Sequence, residues 1–220
     1  MLILNYGEGL TKQKELELKK KVYEFEMLVG INTDTQDILG LTLSNEMYKY
    51  DSNEILMNIE TSINKFVGKL DQPYPVYSSA RVNGKPLFEW AKSNQLHLIT
   101  IPSIKVEIYS LVKTGYYKIT TSNLKSLIKS RIKLVSGNFR QEEILQKWET
   151  TLAEEQERDY IVIKFTSEVS SGTYIRSLCY RIGEHLGTGG IAFDINRTIV
   201  GDYMLCNAIT LETNNKNNET

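Results

Sequence analysis

The stretch Val169-Ser170-Ser171-Gly172-Thr173-Tyr174-Ile175-Arg176-Ser177-Leu178 decides how the rest of the chain reads. Before it, Tyr160 to Val169 is rich in β-branched and aromatic residues, and Ile161, Ile163 and Phe165 alternate against Val162, Lys164 and Thr166, the period of a strand. After it, Ile175, Leu178, Cys179, Ile182 and Leu186 recur at helical spacing, and Gly187-Thr188-Gly189-Gly190 predicts the helix stop. Ser170-Ser171-Gly172 is then a tight turn from strand to helix. Arg176 falls in the first helical turn, where the macrodipole disfavours a cation by a few tenths to roughly 1 kcal/mol. The plain reading is an arginine in water or paired with a surface carboxylate. The sharper one is a fixed guanidinium beside a functional carboxylate or phosphate, which its planar fork suits. If only the aliphatic stem of Arg176 is packed, its replacement by Met costs the fold no more than ~0.5 kcal/mol.

Further out, 220 residues at 41% hydrophobic and 24% charged can build a real core in one large domain or two small ones. The net charge of -1 gives no global attraction to a polyanion, so any nucleic-acid contact has to be a local patch. Two cysteines, Cys179 and Cys206, are too few for a disulfide framework and read as reduced thiols in a reducing intracellular compartment: cytoplasm, nucleus or mitochondrion. Met1-Leu2-Ile3-Leu4 lacks the basic start of a signal peptide, and no window approaches the apolar length of a membrane span. His97 and His185 stand apart from any cysteine cluster, so no metal is expected.

Along the chain, Thr11 to Lys21 is polar, with Leu10, Leu16 and Leu18 as its apolar anchors, and Tyr23 to Ile31 alternates as a strand with Tyr23, Phe25, Met27 and Val29 on one face. Asn32 to Asp37 is a polar loop. Asp34 and Asp37 could form a metal or acid/base pair, but such loops more often bond their own backbone. Asp51 to Val67 reads as an amphipathic helix with Ile55, Leu56, Ile59, Ile63, Phe66 and Val67 on its stripe and an Asp51/Glu54 capping box. Gln72 to Pro86 is too rich in Pro and Gly for helix and predicts a rigid extended loop. A short helix over Leu87 to Gln95 would use Phe88 and Trp90 for packing, and Ile104 to Ser110 alternates as a strand. From Lys113 through Arg140 there are seven basic residues and no acidic one, with Tyr116, Tyr117 and Phe139 among them, whereas Gln141 to Asp159 holds seven acidic residues and a helix striped by Ile144, Leu145 and Trp148. The basic segment is either a solvated face or a site for RNA phosphates and stacking. Ile191 to Leu205 predicts closing strands, and Glu212 to Thr220 a disordered tail.

Several blocks in order, namely Gly7-Glu8 to Thr11-Lys12, Lys21-Val22-Tyr23, Gly30 to Gly40 with Thr33-Asp34-Thr35, Gln72 to Gly84 and the Ser170 to Leu178 run, resemble the TruB family of pseudouridine synthases. Gly137-Asn138-Phe139-Arg140-Gln141 and the Ser-Ser-Gly-Thr-Tyr-Ile-Arg form look most like its eukaryotic members, the tRNA pseudouridine-55 synthases. The Gly7 to Lys12 block carries one extra residue against the family pattern, and within Gln72 to Gly84 Tyr74 and Ser79 stand where proline and alanine are usual. The resemblance implies an α/β (α+β) pseudouridine synthase fold, a mixed and mainly antiparallel sheet flanked by helices and lining an RNA-binding cleft. The expected organisation is a single catalytic domain over 1–211 with a basic/acidic insertion at about 113–158 and no C-terminal PUA domain. The implied reaction turns the T-loop uridine of tRNA out of the stack, detaches it from its ribose, rotates it and rejoins it through carbon, with no cofactor or metal.

By motif position, the resemblance implies that Tyr23 stacks on the uracil and serves proton transfer, that Arg176 pairs with the catalytic aspartate and that Ile195 packs in the pocket. Tyr174, Tyr77 and Arg81 are further candidate substrate contacts, and Lys125, Lys129 and Lys133 come from the basic segment. The family's nucleophilic aspartate lies in a GTLDP-type motif upstream of the tyrosine, and no aspartate occurs between Met1 and Tyr23. The expectation is therefore a monomeric tRNA pseudouridine synthase lacking its N-terminal part, inactive alone and with Arg176 short of its partner. The alternative is a catalytically dead tRNA-binding or tRNA-folding protein.

Overall fold

The structure is a computed structural model and describes residues 13–45, 52–153 and 157–209. Expectations for Met1 to Leu4, Gly7 to Lys12, the Asp51 cap and the 212–220 tail lie outside those residues. In chain order the elements are α1 (Gln13–Leu18), β1 (Lys21–Val29), β2 (Ile31–Thr33), β3 (Thr42–Asn45), α2 (Ser52–Ile63), β4 (Gly68–Pro73), β5 (Arg81–Val82), β6 (Lys85–Pro86), α3 (Leu87–Lys92), β7 (Ser103–Thr120), α4 (Thr121–Lys133), α5 (Gln141–Ala153), β8 (Asp159–Val169), α6 (Ile175–Leu186), β9 (Gly190–Val200) and β10 (Tyr203–Met204).

Six strands form the main sheet in the order β10-β9-β1-β8-β7-β4. All its neighbours pair antiparallel, as the mainly antiparallel sheet expected from the resemblance requires. Along β8, Ile161, Ile163, Phe165 and Val169 point to one face and are buried, as the alternation predicts. Phe25 on β1 lies opposite Phe165, and the two rings stack with centroids 5.2 Å apart, a pair that contributes roughly 0.5–1.5 kcal/mol beyond its buried area. Met27 shares this face and reaches Gly190, beside which Gly183 of α6 also passes. The other face of β8 is covered at Tyr160 and Val162 but opens at Lys164, which pairs with Glu26 at 3.4 Å.

The strand predicted over Tyr23 to Ile31 stops at Val29, because Gly30 at φ 95° redirects the chain into β2. Leu18 is 78% exposed and anchors nothing; Leu16 alone in α1 is half-buried among the described residues. The apolar stripe of α2 ends at Phe66, where a 3-10 turn over Asn64–Phe66 changes the period and leaves Val67 exposed. The basic segment is not one face. Lys113 pairs with Glu60, Lys118 with Asp159, Arg131 with Asp194 and Arg140 with Asp34, and the segment is divided among β7, α4 and the turn before α5.

Candidate active site

The polar loop between β2 and β3 is the base of the site. Its two carboxylates do bond their own backbone: Asp34 Oδ1 accepts from Leu41 N at 2.8 Å, and Asp37 Oδ1 accepts from Leu39 N at 3.0 Å and from the Thr35 hydroxyl at 2.6 Å. Their second oxygens are turned to arginines. Arg140 Nη1 donates to Asp34 Oδ2 at 2.8 Å, and Arg176 Nη1 donates to Asp37 Oδ2 at 3.1 Å. The loop is tight enough to require Gly40, because a Cβ there would lie 2.3 Å from Thr35 Oγ1 and 2.6 Å from Asp34 Oδ1. Its turn places Gln36 in the left-handed region at φ 63°, which costs a residue with a Cβ roughly 1–2 kcal/mol. Two bonds offset that strain: Ala192 N donates to the Gln36 carbonyl at 3.0 Å, and the Ser177 hydroxyl donates to its amide oxygen at 2.7 Å.

Arg176 is held from three sides. Besides Asp37, its guanidinium donates to the carbonyls of Thr35 at 2.9 Å and Tyr77 at 3.2 Å. These acceptors compensate a cation at a helix N-terminus. Arg176 is thus paired with a carboxylate, Asp37, although that is not the upstream nucleophile which the resemblance implies as its partner. Asp37 has both oxygens engaged and is an orienting group rather than a free nucleophile. Arg176 has five N–H groups, and the two not committed to these acceptors find none among the described residues.

The turn before α6 is fixed in the same way. Gln72, buried on β4, accepts from Tyr174 N at 2.8 Å and donates to the Tyr174 carbonyl at 3.1 Å, which sets the start of the helix. Lys21 Nζ donates to the Ser171 hydroxyl at 3.0 Å and to the Glu17 carbonyl at 2.5 Å, tying the turn to the start of β1. Burial, and then the Arg197 charge, lower the Lys21 pKa.

Arg176 opens onto a cavity of about 360 Å³ whose walls include Tyr77, Phe88 and Phe139 as well as Leu39, Ile132 and Ile144. Phe88, expected only to pack, thus lines the cavity. The Tyr77 hydroxyl is pushed above the ordinary tyrosine range, by burial first and then by the Asp34 charge. A second groove, lined by Ile195, Leu134 and Phe193, meets the first at Asp37 and Leu39.

Tyr23 is not among the walls of either groove: β1 and β9 set it opposite Arg197, with Phe25 opposite Ile195, so Tyr23 and Ile195 are diagonal neighbours on one sheet face. Tyr174 caps α6, packed edge-on against Tyr74 at 5.8 Å. Arg81 is exposed in the β5–β6 hairpin, donating to Gly84 O at 2.6 Å, and is not among the cavity's walls. Lys125 and Lys129 lie in a separate groove with Trp148 and Glu149 between α4 and α5, while Lys133 is exposed at the end of α4. Sequence reasoning missed Asp37 as the partner of Arg176 and missed the Asp34–Arg140 pair. The acidic residues of the loop were visible, but only the fold brings residues 140 and 176 to them.

The fold and site define a mixed α/β protein whose helix-borne arginine faces an aromatic cavity. A family model described as TruB family pseudouridylate synthase (N terminal domain) matches residues 1–130, and the chain belongs to this family. It is 32% identical to a tRNA pseudouridine synthase B of Clostridioides difficile (strain 630) over 92% of this chain and 52% of that protein. It is also 32% identical to a tRNA pseudouridine synthase B of Lactobacillus gasseri over 97% of this chain and 59% of that protein. The chain therefore spans little more than half the length of these relatives. Both are bacterial proteins, whereas the expectation from Gly137 to Gln141 is a eukaryotic type.

Proposed function

We propose that the protein converts the T-loop uridine of tRNA to pseudouridine. The observation that carries this reading is Arg176, held by Asp37 and two backbone carbonyls at the mouth of an aromatic cavity, with two N–H groups left for a further carboxylate. The names of the relatives support it, and so does the placement of Tyr23 and Ile195 on one sheet face. In the reaction the N1–C1′ bond of the nucleotide breaks, the base rotates and a C5–C1′ bond forms. The C5 proton is lost while N1 gains one, so no oxidant or cofactor is needed. This chain supplies a ring to stack on the base, an apolar wall and a cation that keeps the nucleophilic carboxylate ionised.

A second reading, an RNA-binding protein without turnover, is favoured by one observation: both carboxylates of the loop beside Arg176, Asp34 and Asp37, are committed to backbone and arginine partners. Tritium release from T-stem-loop RNA carrying 5-tritiated uridine separates the two. We expect none from the chain as given, release once a GTLDP-type segment is joined upstream of Met1, and loss of that release on Arg176→Met. Silence from the extended protein contradicts the enzyme. Release by the chain alone would place the nucleophile among Asp34 and Asp37.

A further inference from the structure

Between β7 and β8 the chain inserts the helical hairpin of α4 and α5, and its connecting turn ends in Arg140 at φ 63°. Backbone strain of this kind persists only where the surroundings over-determine it. Here Gln141 does so: its Nε2 donates to the carbonyls of Val135 at 3.1 Å and Gly137 at 2.5 Å, and its Oε1 accepts from Phe139 N at 2.8 Å. The strained residue is thereby aimed at Asp34, 2.8 Å away, with its guanidinium 4.7 Å from the centre of the Tyr77 ring.

Both contacts bear on Arg176. Asp34 closes the loop whose Thr35 carbonyl and Asp37 carboxylate receive Arg176, and the Tyr77 carbonyl is its third acceptor. The same hairpin grips the loop again where Trp148 Nε1 donates to Gly40 O at 3.1 Å and where the Thr151 and Thr42 hydroxyls meet at 2.5 Å. Arg140 thus donates one Nη1–H to the Asp34 carboxylate, a charge-assisted bond.

We infer that Arg140 is a positioning residue: through Asp34 and Tyr77 it fixes the groups that hold Arg176, so the α4–α5 hairpin sets the orientation of the Arg176 guanidinium. Its importance for the reaction rests on the functional reading above, but its test needs no RNA. Failure of one therefore leaves the other standing.

The test is nitrogen-15 NMR of the full chain at low temperature, with the Arg176 Nη1 and Nη2 signals assigned by their absence in Arg176→Lys. A guanidinium held at both Nη atoms rotates slowly and gives separate signals. We expect separate signals in the wild type and in Lys118→Gln, which removes a distant ion pair, and a single averaged signal in Arg140→Gln and in the near-isosteric Asp34→Asn. Arg140→Lys should restore the separation, since one donor suffices for the single bond to Asp34. Asp34→Asn and Arg140→Lys decide the matter if Arg140→Gln fails to fold. Signals that stay separate in Asp34→Asn, or that are already averaged in the wild type, overturn the inference.

Discussion

Arg176 stands in the first turn of a helix, a place where its charge is disfavoured, and three acceptors are gathered around it. Its removal leaves a part-buried carboxylate and two carbonyls without their donor. Arg176→Met should therefore destabilise by about 1–3 kcal/mol in urea unfolding, more than the stem-only reading of the sequence allows. A loss below the ~0.5 kcal/mol typical of surface changes would mean that the three bonds contribute nothing net. The arginine itself was legible in the sequence, because helical spacing fixed its position. Its partners were not, since Asp37 is 139 residues away and Asx-rich loops read as self-bonded. The two cysteines offer an independent check at this scale. Burial pushes the Cys179 thiol far above its ordinary range, whereas Cys206 is exposed. Under native conditions a thiol reagent should modify Cys206 rapidly and Cys179 only on unfolding. Equal rates would contradict the packing of α6.

The strand, turn and helix from Asp159 to Leu186 were readable because two periodicities meet at one glycine-bearing turn. The hairpin of α4 and α5 was readable only as two charged segments, since the ion pairs that divide the basic one come from elements distant in sequence. Within α6, Gly183 is set so close to β9 that a Cβ would lie 2.3 Å from Gly190 N. Gly183→Ala should force the helix from the sheet and cost roughly 1–3 kcal/mol, seen as a lower urea midpoint. An unchanged midpoint would show that the helix has room to move. For α4, neutralising Lys125, Lys129 and Lys133 together should flatten the salt dependence of tRNA binding by about 0.7 to 0.9 log-log units per lost phosphate contact. An unchanged slope would leave these lysines as a solvated face, with Lys125 and Lys129 belonging to the groove beside Glu149.

Across the whole molecule, a sheet buried on one side by α6 and α2 and open in part on the other carries Tyr23 and Ile195 on one face, and the grooves lined by Ile195 and by Arg176 meet at Asp37 and Leu39. The order of motifs gave the family and a sheet of the right kind. It could not give the register, which depends on bulges such as that between Lys113 and Gly115 that let β7 follow β8 over its length. With a net charge of -1, the chain has no general attraction to nucleic acid, so affinity should come from the site itself. Fluorescence anisotropy of the full chain against a T-stem-loop RNA, beside a fully paired RNA of equal phosphate number, tests this most directly. A site built for an unpaired base should bind the loop RNA at least roughly tenfold more tightly, about 1.4 kcal/mol, at the same salt. Equal affinity for the two RNAs, or binding to neither, would contradict the reading of this cleft as a uridine site.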